Sequence, residues 1–191
     1  MDTSSALVSS VQKAAQGDRA AFRAVFDAGN DKLFHYLLGQ LKNREEALDV
    51  LQETFIEIWR ALPKFRYRSE EEFWGFVFTI ARRKIFASRK RSARRKHIDV
   101  VDNNSLDLLS AENTEHIPTY PDNHHLLLHA LAKLGETSRE ILKLRYWSEL
   151  SFKEIALATE TSENAAKVRH HRAIKELQTY LPKHYVDQRL V

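Results

Sequence analysis

Residues that break or reverse a polypeptide chain are scarce in this sequence, which has 5 glycines and 4 prolines among 191 residues. Turn-rich β architectures depend on those residues, whereas long helices do not. The apolar fraction of 43% is enough for one medium core or two small ones. The sequence therefore predicts an all-α protein built from long helices.

Cysteine is absent, which excludes disulfide scaffolds, thiolate zinc sites and cysteine nucleophiles. No stretch approaches 18 consecutive apolar residues, and the N-terminus lacks a basic segment followed by an apolar run. We therefore expect a cytoplasmic protein that has no membrane insertion and needs no cofactor.

Charge is segregated along the chain. Residues 82–96 carry 9 Lys and Arg and no acid, whereas residues 97–123 carry 6 acids and no Lys or Arg. A basic block of this density is typical of a protein with a polyanionic partner. The acidic stretch holds two prolines and four asparagines and shows no sustained helical period, which favours a linker. It divides the chain into two helical domains, 1–96 and 124–181, and a tail, 182–191.

In the first domain, Gly17 and Asp18 predict a turn and an N-cap, followed by a helix that the Gly29-Asn30 pair could interrupt. A stronger helical period runs from Arg44 to Leu62. Its predicted buried face is Leu48, Leu51, Phe55, Ile58, Trp59 and Leu62, and its acidic face is Glu45, Asp49, Glu53 and Glu57. A loop over residues 64–72 and a third helix from about Phe73 follow.

In the second domain, Thr137 with Glu140 and Ser151 with Glu154 match the capping-box pattern, and Ser162 is a further candidate N-cap. With a leading helix over residues 125–134, we expect four helices, the last two joined by a short turn. The inner face of the last helix comprises Ala166, His170, Ala173, Ile174 and Leu177. Its outward face comprises Asn164, Lys167, Val168, His171, Arg172 and Lys175, and Arg169 lies on the border. The candidate DNA contacts are Asn164, Lys167, Val168, Arg169, His171 and Arg172. This arrangement is typical of a helix-turn-helix unit that inserts its second helix into the DNA major groove.

Aromatic residues precede the basic block. Unpaired bases stack on aromatic rings, and cations bind phosphates, so this combination favours single-stranded DNA. The candidate stacking residues are Phe65, Tyr67, Phe73 and Trp74. We expect at least one of these four rings to be exposed, and Phe76 and Phe78 to lie in the core.

Four segments resemble bacterial RNA polymerase sigma factors. Residues 16–22 (QGDRAAF) and 47–55 (ALDVLQETF) resemble the start and the A-x-D-x-x-Q-E-x-F signature of the family's first conserved domain. Residues 73–82 (FWGFVFTIAR) are similar to its aromatic stretch. Residues 151–156 with 167–177 (SFKEIA and KVRHHRAIKEL) resemble its terminal helix-turn-helix. The short N-terminus and the linker that stands in place of a middle domain resemble the extracytoplasmic-function (ECF) group.

The resemblance implies a non-catalytic initiation factor that binds core RNA polymerase and promoter DNA, both duplex and single-stranded. It implies that Asp49, Gln52 and Glu53 dock on the clamp helices of the largest polymerase subunit, and that the loop over residues 64–72 takes a flipped base of the −10 element. It implies that the helix containing Arg82 to Lys84 holds the −10 backbone. The C-terminal domain would bind the flap of the second-largest subunit and read the −35 element, and an anti-sigma factor is an implied further partner.

The chain departs from the family pattern in its second domain. The turn is Thr159-Glu160-Thr161, where the family usually has Leu-Gly-Ile, so it lacks the glycine that readily adopts positive φ. Ala166 and His170 stand where the family usually has Val and Leu on the inner face of the last helix.

Other functions remain as alternatives. A stand-alone helix-turn-helix regulator would bind duplex DNA without polymerase. A small nuclease could hold magnesium on Asp49, Glu53 and Glu57. His125 and His129 are spaced to share a helix face as metal ligands, although no third ligand is apparent. A membrane-surface protein is disfavoured because the basic block has no apolar face after Phe86.

Overall fold

A computed structural model describes the backbone of residues 3–41, 43–102 and 123–181, and the side chains of residues 6–41, 43–94 and 126–181. These residues form helices and no strand, which confirms the all-α class. Contacts divide the chain into an N-terminal unit and a C-terminal unit. Most of the predicted linker, residues 103–122, and the predicted tail, 182–191, lie outside the described residues.

In the N-terminal unit, the described residues form four helices and one short 3₁₀ turn. They are α1 (Thr3–Ala15), α2 (Arg19–Gln40), α3 (Arg44–Ala61), the turn Leu62–Lys64, and α4 (Glu70–Asp102). Helix α2 packs against α1, α3 and α4, and α3 also packs against α4. The largest fully buried side chains of this core are Leu33, Tyr36, Leu37, Ile58, Leu62, Phe73 and Phe78.

The predicted starts of α2 and α3 are confirmed. The Asp18 carboxylate accepts hydrogen bonds from the backbone N–H groups of Ala20 and Ala21, and the Asn43 side chain caps α3 through the N–H of Glu46. These caps satisfy donors that the first helical turn leaves unpaired. Helix α1 was not predicted, although its buried face of Leu7, Val11 and Ala14 follows helical spacing.

Two predicted boundaries in this unit are wrong. Helix α2 passes through Gly29 without interruption, because α2 gains a close contact with the Trp74 ring at that position, as described below. Helix α4 begins at Glu70 rather than near Phe73 and continues to Asp102, through residues 97–102 of the predicted linker. No Gly or Pro stands between Gly75 and Pro118 to end it earlier.

Four helices also lie within the described residues of the C-terminal unit, 123–181, as the sequence predicts. They are α5 (Asn123–Lys133), α6 (Glu136–Tyr146), α7 (Phe152–Ala158) and α8 (Glu163–Tyr180). Helix α8 packs against the other three. The predicted capping box of Ser151 and Glu154 is present at α7, and Ser162 caps α8 through the N–H of Ala165.

The capping box predicted at Thr137 and Glu140 is wrong. Helix α6 begins one residue before Thr137, with Gly135 as an N-cap that makes no side-chain hydrogen bond. The neighbouring Ser138 hydroxyl instead donates to the Glu176 carboxylate of α8 at 2.8 Å. A tertiary contact with α8 thus involves the hydroxyl next to the predicted cap.

The turn between α7 and α8 closes without glycine. Glu160 adopts a φ of 55°, the left-handed conformation that glycine would adopt at lower cost. The Thr159 hydroxyl donates to the Ile155 carbonyl at 2.7 Å, and the Thr159 and Thr161 hydroxyls share a hydrogen bond of 2.9 Å. The N–H of Thr161 donates to the Ala156 carbonyl. These bonds hold the turn in the conformation that the helix-turn-helix requires.

Candidate functional site

The predicted docking residues lie on the outward side of α3. Asp49 and Gln52 are exposed, and the Glu53 side chain is 38% exposed. Glu53 accepts a hydrogen bond of 3.0 Å from the Arg91 guanidinium of α4. The Lys84 ammonium lies 3.6 Å from Glu57 and 4.0 Å from Glu53. A lysine therefore sits against two of the three carboxylates that the nuclease alternative assigns to magnesium.

An apolar groove lies beside the docking residues, between α2 and α3. Its volume is about 730 Å³, and Gln52 is one of its lining residues. Leu48 and Ile56, at its edge, are 44% and 43% exposed. The prediction that Leu48 lies on the buried face of α3 is therefore wrong. The buried residues of α3 are Ala47, Val50, Leu51, Thr54, Phe55 and Ile58. Leu48 with Ile56, two turns apart, is the sequence signal that could have revealed this exposed apolar stripe.

The four predicted stacking rings have different environments. Phe73 and Trp74 are buried, with exposed fractions of 0% and 3%, so neither of them is the exposed ring expected among the four. Phe65 and Tyr67 are half-buried. Phe65 stacks on Phe76 with ring centroids 4.5 Å apart. Phe78 is buried as predicted and Phe76 is half-buried. The rings that unpaired bases could reach are therefore Phe65 and Tyr67.

Trp74 is held by contacts on several sides. Its indole N–H donates to the Glu70 carboxylate at 3.2 Å, and the Lys32 ammonium lies 5.2 Å from its ring centroid. A Cβ atom built on Gly29 would lie 3.1 Å from the Trp74 ring, so the absence of a side chain there allows the contact. Trp74 therefore joins α4 to α2 as a core residue.

Tyr67 lies at the edge of this ring cluster, and its ring centroid is 6.3 Å from that of Phe73. Burial, followed by the carboxylates of Glu70 and Glu71, raises the pKa of the Tyr67 hydroxyl above its ordinary value of 10.0. The hydroxyl is therefore protonated at neutral pH and available to donate a hydrogen bond.

The predicted backbone-binding cations follow the ring cluster on α4. Arg83 is exposed, whereas Arg82 and Lys84 are half-buried. Farther along α4, the Arg89 guanidinium donates to the carbonyl and side-chain oxygens of Gln40, both at 3.1 Å. The basic block thus combines cations that bind the rest of the unit with cations that face solvent.

All six predicted DNA-contacting residues of α8 are exposed. They are Asn164, Lys167, Val168, Arg169, His171 and Arg172. The Lys167 ammonium pairs with Glu163, one turn earlier, at 2.7 Å. On the inner face, Ala166, Ala173 and Leu177 are buried and His170 is half-buried. The helix therefore presents a cationic face with one apolar side chain, Val168.

His170 contacts two other helices, and these contacts were not predicted from the sequence. Its Nε2 shares a hydrogen bond of 3.2 Å with the Tyr146 hydroxyl of α6. Its ring lies edge-on to Phe152 of α7, with centroids 5.2 Å apart. Burial, followed by the charges of Arg145 and His171, lowers the pKa of His170 below its ordinary value of 6.5.

Within the described part of the chain, no three His, Cys, Asp or Glu side chains come together as a metal site. Among the helices described, none has the length and apolar character needed to cross a bilayer.

Family models match both units. The model of sigma-70 region 2 matches residues 26–95, and that of sigma-70 region 4 matches residues 124–177. RNA polymerase sigma factor SigV of Bacillus subtilis is 30% identical over 143 residues, 75% of this chain and 80% of SigV. ECF RNA polymerase sigma factor BldN of Streptomyces coelicolor is 27% identical over 173 residues, 90% of this chain and 64% of BldN.

A solved structure has a similar fold. It is the sigma factor RpoE in complex with the anti-sigma factor NepR from Bartonella quintana, with a TM-score of 0.60 and 21% identity over 83% of this chain and 95% of that chain.

Because of the family models and the identity with SigV, the chain belongs to the sigma-70 family of RNA polymerase sigma factors, and within it to the ECF group. As a sigma factor, it directs RNA polymerase to promoters.

Proposed function

We propose that the N-terminal unit docks on the clamp helices of the largest subunit of core RNA polymerase through Asp49, Gln52 and Glu53. The observation that carries this proposal is the side-by-side exposure of Asp49 and Gln52 on α3, next to an apolar groove that Gln52 also lines. Polar residues around an apolar patch are typical of a protein interface. The C-terminal unit makes the second polymerase contact, at the flap of the second-largest subunit.

The N-terminal unit also opens the −10 element. Phe65 and Tyr67 are half-buried rings in the loop that precedes α4, and they offer faces for bases that leave the duplex. Phe73 supports these rings from the core, since its centroid lies 6.0 Å from Phe65 and 6.3 Å from Tyr67, and Trp74 packs against Phe73 with centroids 5.2 Å apart. Arg82, Arg83 and Lys84 then hold the phosphates of the displaced strand.

Helix α8 recognises the −35 element in the major groove through its six exposed residues. The cap at Ser162 and the closed turn before it fix where the helix begins. Arg and Lys pair with guanine edges, Asn pairs with adenine, and an apolar side chain such as Val168 suits a thymine methyl group. Sequence is thereby recognised upstream of the opened region.

The chain performs no catalysis of its own, needs no cofactor and acts in the cytoplasm, where core polymerase and promoters are found. An anti-sigma factor is a further proposed partner. The similar fold of a sigma factor solved with an anti-sigma factor supports this proposal.

The deciding experiment is co-elution of the purified full chain with core RNA polymerase after nuclease treatment, at a salt concentration that screens non-specific basic contacts. We expect the wild type to co-elute and the double variant Gln52→Ala with Glu53→Ala to elute free. The matched control is Asp27→Ala, which removes a carboxylate of α2 that is 58% exposed and pairs with Arg23. Elution of the wild type without polymerase, with binding to duplex DNA retained, would instead establish a stand-alone regulator.

A further inference from the structure

A small polar and aromatic cluster connects the three helices of the helix-turn-helix region. It consists of Tyr146 at the end of α6, Phe152 at the start of α7 and His170 in the middle of α8, and we call it the imidazole cluster. The hydroxyl of Tyr146 and Nε2 of His170 are 3.2 Å apart, and their ring centroids are 5.7 Å apart. His170 is the one member that belongs to the predicted DNA-reading helix.

Apart from His170, the buried residues around the middle of α8 have small side chains that do little to fix the orientation of the helix. Ala166 and Ala173, one turn before and one turn after His170, are fully or almost fully buried but present only methyl groups. Methyl groups pack without a strong directional preference, whereas a hydrogen bond requires a defined approach. The imidazole cluster therefore supplies a directional contact in the middle of α8, and the Ser138–Glu176 hydrogen bond supplies another nearer the end of the helix.

The surroundings of His170 favour its neutral form. On α6 the charged and titratable neighbours are Arg145 and Tyr146, on α8 the neighbour is His171, and α7 contributes the uncharged ring of Phe152. The Arg145 guanidinium is fixed in turn, because it donates to the Leu150 carbonyl at 2.8 Å and lies 5.2 Å from the Phe152 centroid. A neutral imidazole leaves one ring nitrogen able to accept a hydrogen bond from the Tyr146 hydroxyl.

We propose that His170 is a positioning residue for −35 recognition, which through Tyr146 and Phe152 sets the rotation of α8 and so aims its exposed side chains at the base edges. The proposal rests on the proposed function of α8. It concerns a residue that faces away from DNA, unlike Arg169 and His171 on either side of it. A helix rotated by even a fraction of a turn would move base-reading side chains out of hydrogen-bond range.

The test uses holoenzyme assembled from the full chain and a promoter fragment that the wild-type holoenzyme selects from a random duplex library. The quantity measured is −35 discrimination, the ratio of dissociation constants for that fragment with its −35 element replaced and intact. We expect Tyr146→Phe and His170→Leu each to lower this ratio about fivefold, the effect of one lost neutral hydrogen bond. The double variant should lose no more than either single variant, because both remove the same bond.

His170→Leu also separates positioning from simple packing, since leucine restores the apolar character that the family usually has at this position. If His170 only fills space, the leucine variant keeps its −35 discrimination and its thermal stability. The matched control is His129→Leu, at an exposed histidine of α5, which should leave the ratio unchanged.

A pH profile supplies a readout that packing alone would not change. Protonation of His170 places a second cation beside Arg145 and removes the acceptor that the Tyr146 hydroxyl uses. We expect wild-type discrimination to be constant around neutral pH and to fall as the pH drops below about 6.5, the ordinary pKa of histidine, and the His170→Leu profile to stay flat by comparison. His171 is present in both proteins, so its presence alone cannot account for a difference between the two profiles.

Failure of the proposed function of α8 and failure of the inference about His170 would give different results. A wild-type holoenzyme without any −35 discrimination would overturn the proposed function of α8, and the inference with it. A wild type that discriminates, with variants that keep its ratio and its pH profile, would overturn the inference alone.

Discussion

At the residue scale, Trp74 shows how one contact can override a local pattern. Glycine in a helix interior costs about 1 kcal/mol relative to alanine, so Gly29 is a reasonable place to expect a break. Instead Gly29 is buried against the Trp74 ring, and Trp74 is 3% exposed. Burial of an aromatic ring of this size stabilises by more than the glycine costs. The residue predicted to stack on DNA therefore stabilises the unit that carries the candidate stacking rings.

Gly29→Ala tests this contact. The added methyl group would lie 3.1 Å from the Trp74 ring, so we expect a net loss of about 1–2 kcal/mol in the free energy of unfolding despite the higher helix propensity of alanine. Chemical denaturation of the full chain measures the effect. Ala28→Gly is the control, because it measures helix propensity at an exposed position of the same helix without the ring contact. Equal stability of the Gly29 variant and the wild type would show that the ring tolerates a side chain there.

At the element scale, Arg139 explains how two helices of the C-terminal unit are joined. Its guanidinium donates to the carbonyls of Leu131, Ala132 and Leu134 at 3.0, 2.8 and 2.7 Å. Those carbonyls belong to the end of α5, where helical partners are missing. Arg139, in the first turn of α6, thus caps the preceding helix. No local sequence pattern predicts that this guanidinium binds those carbonyls.

Arg139→Gln should therefore destabilise α5. We expect a loss of about 2 kcal/mol, because several charge-assisted hydrogen bonds are replaced by at most one weaker bond. Hydrogen exchange at the amides of α5 measures this loss locally, and protection should fall there first. Arg172→Gln, at an exposed arginine of α8, is the control. Identical exchange of α5 in the two variants would contradict the capping role.

At the scale of the whole molecule, acidic and basic side chains occupy different helix surfaces. The acidic side of α3 and the basic block of α4 belong to one unit and are joined by ion pairs of Glu53 and Glu57 with Arg91 and Lys84. Pairs as exposed as these contribute about 1 kcal/mol or less each. Other cations of α4, such as Lys90 and Arg94, are exposed to solvent, where a polyanion could bind them.

The salt dependence of promoter binding tests the basic block. For holoenzyme, we expect Arg83→Gln to reduce the slope of log affinity against log salt by about one, the value for one lost phosphate contact. Fragments with different −10 sequences should be affected alike, because phosphates carry no sequence information. Lys13→Gln, at an exposed lysine of α1, is the control. An unchanged slope for the Arg83 variant would remove Arg83 from the set of phosphate contacts.

The sequence by itself determined the features that depend on near neighbours in the chain. Helical periods and caps at Asp18, Ser151 and Ser162 satisfy local backbone donors, and the outward cationic face of α8 follows from helical geometry. The family motifs are local in the same sense. Each of these features could be predicted without knowledge of what packs against it.

The tertiary structure alone decided which surfaces meet. It buried Phe73 and Trp74, exposed Leu48 and joined His170 to Tyr146, because each outcome depends on residues from another helix. Hydrophobic burial is not directional, so an aromatic ring can face the core or a ligand with the same local pattern. The candidate site was thus predictable as a set of helices and charges, while the rings available to DNA were decided by packing.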